Sequence, residues 1–197
     1  MIRSGGCLEK KKLGAEKERT VLECQGQCQL PRLLAQATHD DLTGVYNRKA
    51  FLSNLDIEIR RAFRHRYPLS ILIVDLDYFR KVNDIYGGLI GDAVLREAAR
   101  RIKELIRQED FLGRYGGDEF IIVLPHTSVN SAAIVAHRLI TNLSRTSLSY
   151  GKTIIPQTLS IGIAGRENNI DSRETLLNRA EYSLYLAKEA GGNTYKK

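Results

Sequence analysis

Between residues 47 and 65 apolar side chains recur at every fourth position, Phe51, Leu55, Ile59 and Phe63, with arginines on the opposite face. This helical period predicts an amphipathic helix over 47–65. The run Leu69-Ser70-Ile71-Leu72-Ile73-Val74 is short, apolar and rich in β-branched residues, so it reads as a buried strand ending at Asp75. Val94, Leu95, Ala98, Ile102 and Leu105 predict a helix over 92–107. Two short strands follow, 111–115 and 119–124, and Gly116-Gly117-Asp118 between them is a hairpin signal. A helix over 130–143, a strand over 157–164 and a helix over 173–190 complete the pattern. The last helix stops at Gly191-Gly192. The order α-β-α-β-β-α-β-α predicts an α/β (α+β) fold, one sheet with helices packed on it.

The pattern changes near residue 38. Residues 1–38 are rich in Lys, Glu and Gln, and Leu8, Ala15 and Leu22 fall at seven-residue spacing. That spacing is compatible with a helical stalk or linker, punctuated by Pro31. The expected division is therefore a segment 1–38 and a domain 39–197.

Composition narrows the class. A chain of 197 residues fits one compact domain with an extension, large enough to fold without disulfides or a structural metal. Cys7, Cys24 and Cys28 all lie in the N-terminal segment and lack the second ligand pair of a zinc site, so reduced thiols are expected. No apolar run approaches the roughly 20 residues of a membrane span, and the N-terminus leads into charge; a cytoplasmic location is expected. The formal charge of +7 includes a dense run at Arg60, Arg61, Arg64 and Arg66. Without aromatic interleaving it reads as a solvated helix face, with neither a nucleic-acid polymer nor a membrane as partner.

Two acidic elements carry the candidate chemistry. Asp75-Leu76-Asp77 ends the most apolar strand, where α/β sheets open toward ligands, and alternation sends both aspartates to one side. Asp118-Glu119 sits at the hairpin tip and can lie on a neighbouring strand. Carboxylates converging from two strands repel each other unless a cation lies between them. Oxygen-liganded Mg²⁺, sharing substrate phosphates, is the natural occupant.

Gly116-Gly117-Asp118-Glu119-Phe120, preceded by Arg114-Tyr115, resembles the signature of GGDEF-domain diguanylate cyclases. Supporting stretches occur in order: residues 40–48 (DDLTGVYNR), 75–84 (DLDYFRKVND), 91–95 (GDAVL), 160–164 (SIGIA) and 187–191 (AKEAG). The resemblance covers about residues 39–195. It implies a palm-like fold with a central, mostly antiparallel sheet, and condensation of two GTP into cyclic di-GMP. By position it implies Asp75, Asp118 and the Leu76 carbonyl as ligands of two Mg²⁺ ions, with Mn²⁺ as an alternative. Asp118 or Glu119 would be the base and Arg80 a transition-state cation. Phe79 and Arg80 amides would meet the phosphates, Asn83 and Asp92 would read guanine, and Lys188 would bind the distal phosphates.

One GTP per domain implies a homodimer for catalysis. Arg107-Gln108-Glu109-Asp110, an R-x-x-D five residues before Gly116, resembles the family's inhibitory product site, with Arg138 as a partner. Two positions depart from the family. Gly88 stands where His is usual and Gly192 where Arg is usual, which implies weaker substrate binding. The alternative reading is a silent domain that only binds cyclic di-GMP or GTP.

Overall fold

Strand β1 (Leu69–Leu76) is buried at every position, and its alternation sets the layers of the domain. Leu72, Val74 and Leu76 enter one core, with Val94, Leu95 and Ile102 of helix α3 (Gly88–Leu105) and Ala136 and Leu139 of helix α4 (Val129–Arg145). Leu69, Ile71 and Ile73 enter a second core, with Phe51 and Leu55 of helix α1 (Arg48–His65) and Leu176, Ala180 and Leu184 of helix α5 (Arg173–Glu189). A strand covered on both faces has no polar stripe, which is why 69–74 lacks the alternation of a half-exposed strand.

The computed structural model describes residues 36–145, 147–150, 153–166 and 172–197. The expected stalk before residue 36 and the cysteine reading lie outside these residues. Thr38–Lys197 form one compact unit. Its sheet runs β2-β3-β1-β6-β7, with β2 (Phe111–Gly116), β3 (Glu119–Pro125), β6 (Leu159–Gly165) and β7 (Tyr195–Lys196). The pairings are antiparallel except β6 with β7. Sheet and helices together make an α/β fold.

Helix starts follow local capping. Asn47 Oδ1 accepts from the Ala50 amide at α1 and Ser172 Oγ from the Thr175 amide at α5, satisfying otherwise orphan donors. β1 runs two residues further than its apolar stretch, because Asp75 continues the pairing with β3 and β6 and Leu76 the pairing with β6. Four elements escape the sequence pattern. Helix α2 (Phe79–Tyr86) buries only Phe79 and Val82, too few to register a period. The hairpin β4 (Leu148–Tyr150) and β5 (Thr153–Ile155) forms a separate two-stranded sheet, and β7 has only two residues. The helix expected over 92–107 begins at Gly88 and ends at Leu105.

Candidate active site

The register joins the two acidic elements. Asp75 lies directly across from Glu119 on β3 and from Ser160 on β6. As an odd-numbered residue of β1, Asp75 belongs to the face covered by α5, and Lys188 in the last turn of α5 reaches it. Lys188 Nζ lies 2.7 Å from Asp75 Oδ2. Asp75 is buried, and that burial lifts its carboxyl to about 6; Lys188 opposes the shift, while Asp118 and Glu119 add to it. Burial also raises Glu119, against Lys188 and with Asp118 and Glu181. The strand end is thus a desolvated oxygen-donor set with excess negative charge around it.

Asp118 stands at the tip of the β2–β3 hairpin, and an arginine fixes that tip. The strands slip register between Arg114 and Gly116, so Tyr115 is the extra residue of a bulge. The Arg114 guanidinium donates to the Gly117 carbonyl from Nε (3.0 Å) and Nη2 (2.7 Å). Its Nη1 donates to Asp40 Oδ1 (3.2 Å) and Oδ2 (3.3 Å). Burial raises the Asp40 carboxyl, but the Thr43 hydroxyl and amide and the Arg114 charge outweigh it and hold the group below the usual carboxylate range. Sequence reasoning quoted Asp40 and Arg114 as motif members without a role. No local pattern links residues that far apart in the chain.

Near the strand end lies a cleft of about 440 Å³, lined by Phe79, Arg80, Asn83, Asp92, Arg114 and Asp118 among others. It joins Phe79, Asn83 and Asp92, expected to bind substrate, to Asp118, expected to hold metal, and to the arginine that holds the hairpin tip; Lys188 lies instead against Asp75. No side chain caps the N-terminus of α2, whose first residues, Phe79 and Arg80, line the cleft. Gly91 permits the close approach of α2 to α3. A Cβ there would lie 1.8 Å from Asn83 Oδ1.

Asp77 shares the side of Asp75, as alternation requires, but it does not join the acidic cluster as a second free carboxylate. Ser160 Oγ donates to its Oδ1 (2.6 Å), and Thr158 Oγ1 (2.7 Å) and the Asn193 amide (2.9 Å) donate to its Oδ2. These donors satisfy the acid, which the expected ligand set of Asp75, Asp118 and the Leu76 carbonyl did not include.

The R-x-x-D segment forms a turn between α3 and β2. Asp110 Oδ2 accepts from the Arg107 amide (2.8 Å), while its buried Oδ1 has no hydrogen-bond partner. Burial raises the Asp110 carboxyl. The Arg107 side chain is exposed, and Arg138 on α4 donates to the Leu105 carbonyl at the same corner. The three residues expected at a regulatory site are therefore neighbours, some distance along the sheet from Asp75. A cavity of about 580 Å³ opens beside the turn, also lined by Asn54 and Arg61 of α1.

Among the described residues no three Asp, Glu, His or Cys side chains converge into a metal cage. Asp75, Asp118 and the Leu76 carbonyl would make a thinner, all-oxygen set, of the kind taken by Mg²⁺, which keeps waters and phosphates in its sphere. Among the described residues no helix is long and apolar enough to cross a membrane.

The fold and the site together define an α/β domain with an acidic strand end and an adjoining polar cleft. Residues 37–194 match the family model for "Diguanylate cyclase, GGDEF domain", and the chain belongs to that family. It is 37% identical over 166 residues to the response regulator PleD of Caulobacter vibrioides, covering 83% of this chain and 37% of PleD. It is 35% identical over 165 residues to diguanylate cyclase A of Treponema denticola, covering 82% of this chain and 44% of that protein. The chain thus spans less than half the length of these curated relatives. The crystal structure of the coiled coil and GGDEF domain of DgcB from Caulobacter crescentus in complex with c-di-GMP superimposes with a TM-score of 0.84 at 28% identity, covering 92% of this chain and 97% of that one.

Proposed function

We propose that this chain is a diguanylate cyclase, joining two GTP into cyclic di-GMP with loss of two pyrophosphates. One observation carries the reading: Asp75 and Glu119 face each other on adjacent strands, next to a cleft bearing Asn83, Asp92 and Asp118. Asp75, Asp118 and the Leu76 carbonyl would hold two Mg²⁺ ions, which when bound polarise the α-phosphate and acidify the attacking 3′-hydroxyl.

The chain's own groups do the rest. Asn83 and Asp92 orient guanine, since an amide and a carboxylate complement its O6 acceptor and its N1 and N2 donors. The first amides of α2, at Phe79 and Arg80, receive phosphate oxygens, and the Arg80 charge offsets the negative charge that builds at the transferring phosphorus. Glu119 or Asp118 takes the proton from the 3′-hydroxyl; the raised Glu119 carboxyl is the better acceptor. Lys188 serves the distal phosphates once they compete for its ammonium.

Each domain has one such cleft and the product needs two nucleotides, so two copies face each other as a homodimer, with residues 1–38 arranging the pair. Exposed Arg107 and the unpartnered Asp110 Oδ1 suit a guanine edge and a phosphate. They support product inhibition at the turn between α3 and β2.

Incubating the purified chain with GTP and Mg²⁺ and separating the nucleotides by chromatography tests the reading. Cyclic di-GMP is expected from the native chain and not from Asp118→Ala. Absence of product at saturating GTP in a dimeric sample overturns it, and cyclic di-GMP binding in that sample would make the domain a receptor.

A further inference from the structure

We propose that Asp77 is a positioning residue that clamps the turn after α5 and thereby sets Lys188 over the substrate phosphates. The inference rests on the reading of Lys188 as a phosphate contact and concerns the residue that places it. Asp77 lies one position beyond β1 and is held through its backbone on both sides. Its amide donates to the Thr158 carbonyl (3.0 Å), and its carbonyl accepts from Gln157 Nε2 (2.8 Å). A carboxylate anchored in this way is a fixed point at the end of the sheet.

What it grips is the least regular stretch of the C-terminal region. Gly191, Gly192 and Asn193 have φ of 103°, 75° and 50°, three left-handed residues in a row. The Gly191 amide closes on the Lys188 carbonyl (3.0 Å) and the Gly192 amide on the Ala187 carbonyl (3.2 Å). The Asn193 amide has no helical carbonyl to use and donates to Asp77 Oδ2 instead (2.9 Å). One residue on, the Thr194 carbonyl accepts from the Ile161 amide and the chain enters β7. The turn is therefore stretched between Lys188 at one end and the sheet at the other, with Asp77 gripping its middle.

The two aspartates divide the work by donor. Asp75 takes the Lys188 ammonium, and Asp77 takes the amide five residues later. Three of about four lone-pair directions on Asp77 are already filled by fixed donors, which leaves it a poor metal ligand and a good anchor. Gly192 belongs to the same device. A Cβ at that position would come within 3.0 Å of Asp77 Oδ1, so a residue without one lets the carboxylate lie flat against the turn.

The test separates an anchor from a metal ligand. In the full chain without nucleotide, amide exchange at Asn193 is followed in native protein, Asp77→Ala and Asp77→Asn. Exchange is expected to rise about tenfold in Asp77→Ala and less in Asp77→Asn, whose amide oxygen can still accept. The KM for GTP, or the Kd of a non-hydrolysable GTP analogue, is expected to rise about tenfold in Asp77→Ala. The kcat and the Mg²⁺ half-saturation should stay within about twofold. Unchanged exchange at Asn193 overturns the clamp. So does an Mg²⁺ requirement that rises as far as it does in Asp75→Asn. If Asp77→Ala does not fold, Asp77→Asn and Ser160→Ala carry the same measurements. Exchange and analogue binding read the clamp even if the native chain makes no product, a result that would overturn only the proposed reaction.

Discussion

Lys188 Nζ lies 2.7 Å from Asp75 Oδ2, joining the last turn of α5 to the end of β1 by an unequal ion pair. The Asp75 side chain is 8% exposed and the Lys188 side chain 45% exposed, so the acid is fixed in the sheet while the ammonium is half in water. Burial outweighs the lysine, and the Asp75 carboxyl stays at about 6. An acid poised in this way gains from any second cation brought beside it.

Cation binding at the strand end should therefore depend on pH near neutrality. Against the ordinary aspartate value of 3.8, a folded-state value of about 6 means that the native chain binds the proton more tightly than the unfolded one. The contribution of Asp75 to stability is fully present below about 3.8 and is lost as pH rises through about 6. Mg²⁺ binding has the opposite sign, because the cation competes with that proton. The Mg²⁺ half-saturation is expected to be roughly tenfold higher at pH 5 than at pH 7.5. Titration at the two pH values checks this; equal values would mean Asp75 keeps an ordinary carboxylate acidity.

Removing the lysine should move the same profile. Lys188→Ala deletes a group that lowers both Asp75 and Glu119, so both carboxyls rise further. The acid limb of kcat/KM is expected to shift to higher pH, and the KM for GTP to rise by roughly tenfold or more from the lost charge-assisted contact. Lys188→Arg, which keeps the charge, should recover most of the pH profile. An unmoved limb in Lys188→Ala would dissociate the ion pair from Asp75 acidity.

The hairpin tip gives a separate prediction. Arg114 spans the Asp40 carboxylate and the Gly117 carbonyl with one planar fork, a reach that a lysine point charge cannot reproduce. Arg114→Lys is expected to lower kcat by about tenfold with secondary structure unchanged, from loss of a charged bifurcated contact. Asp40→Asn should do less, since it keeps an acceptor for Thr43 and for the guanidinium. In the double variant the two losses should be less than additive, because both act on one contact. Steady-state kinetics beside circular dichroism measures this.

Much of this arrangement was legible from residue order. The apolar run at 69–74, the hairpin signal at 116–118 and the four-residue repeat at 51–63 are local signals, and each became β1, the β2–β3 turn or α1. The pairing of Asp75 with Glu119 was legible only as a possibility, because register depends on which strands become neighbours. The resemblance singled out Asp75 and left Asp77 without a role, but the hydrogen bonds that hold Asp77 were not legible. Alternation gives both the same side, and only Ser160, Thr158 and Asn193, far along the chain, distinguish them. Helix α2 escaped for a related reason: its two buried residues pack against α3, and a contact between helices leaves no period in eight residues.

At the R-x-x-D turn, Arg107→Ala should separate regulation from catalysis. Its exposed side chain makes no close contact with the acidic strand end, whereas a phosphate at that corner would gain a fork of donors. Cyclic di-GMP binding is expected to weaken roughly ten- to a hundredfold, with the initial rate in the absence of product unchanged. Isothermal titration and initial-rate kinetics report the two quantities independently. Unchanged product affinity would exclude this turn as the inhibitory site.

Gly192→Arg sets backbone strain against a gained charge. The residue sits at φ 75°, and a Cβ would meet Asp77 Oδ1 at 3.0 Å. A side chain in the left-handed region costs about 1 kcal/mol, which in a domain of this size lowers Tm by about 2–4 °C. The guanidinium would project from the turn held by Asp77, four residues after the lysine proposed to meet the phosphates. If the substrate's distal phosphates lie there, KM for GTP falls by roughly tenfold even as Tm falls, since a charge-assisted contact outweighs the strain only in the bound state. Thermal melting and the KM measured on one preparation separate the two effects. A lower Tm with an unchanged KM would mean that position 192 faces away from the triphosphate, and that glycine there serves the clamp alone.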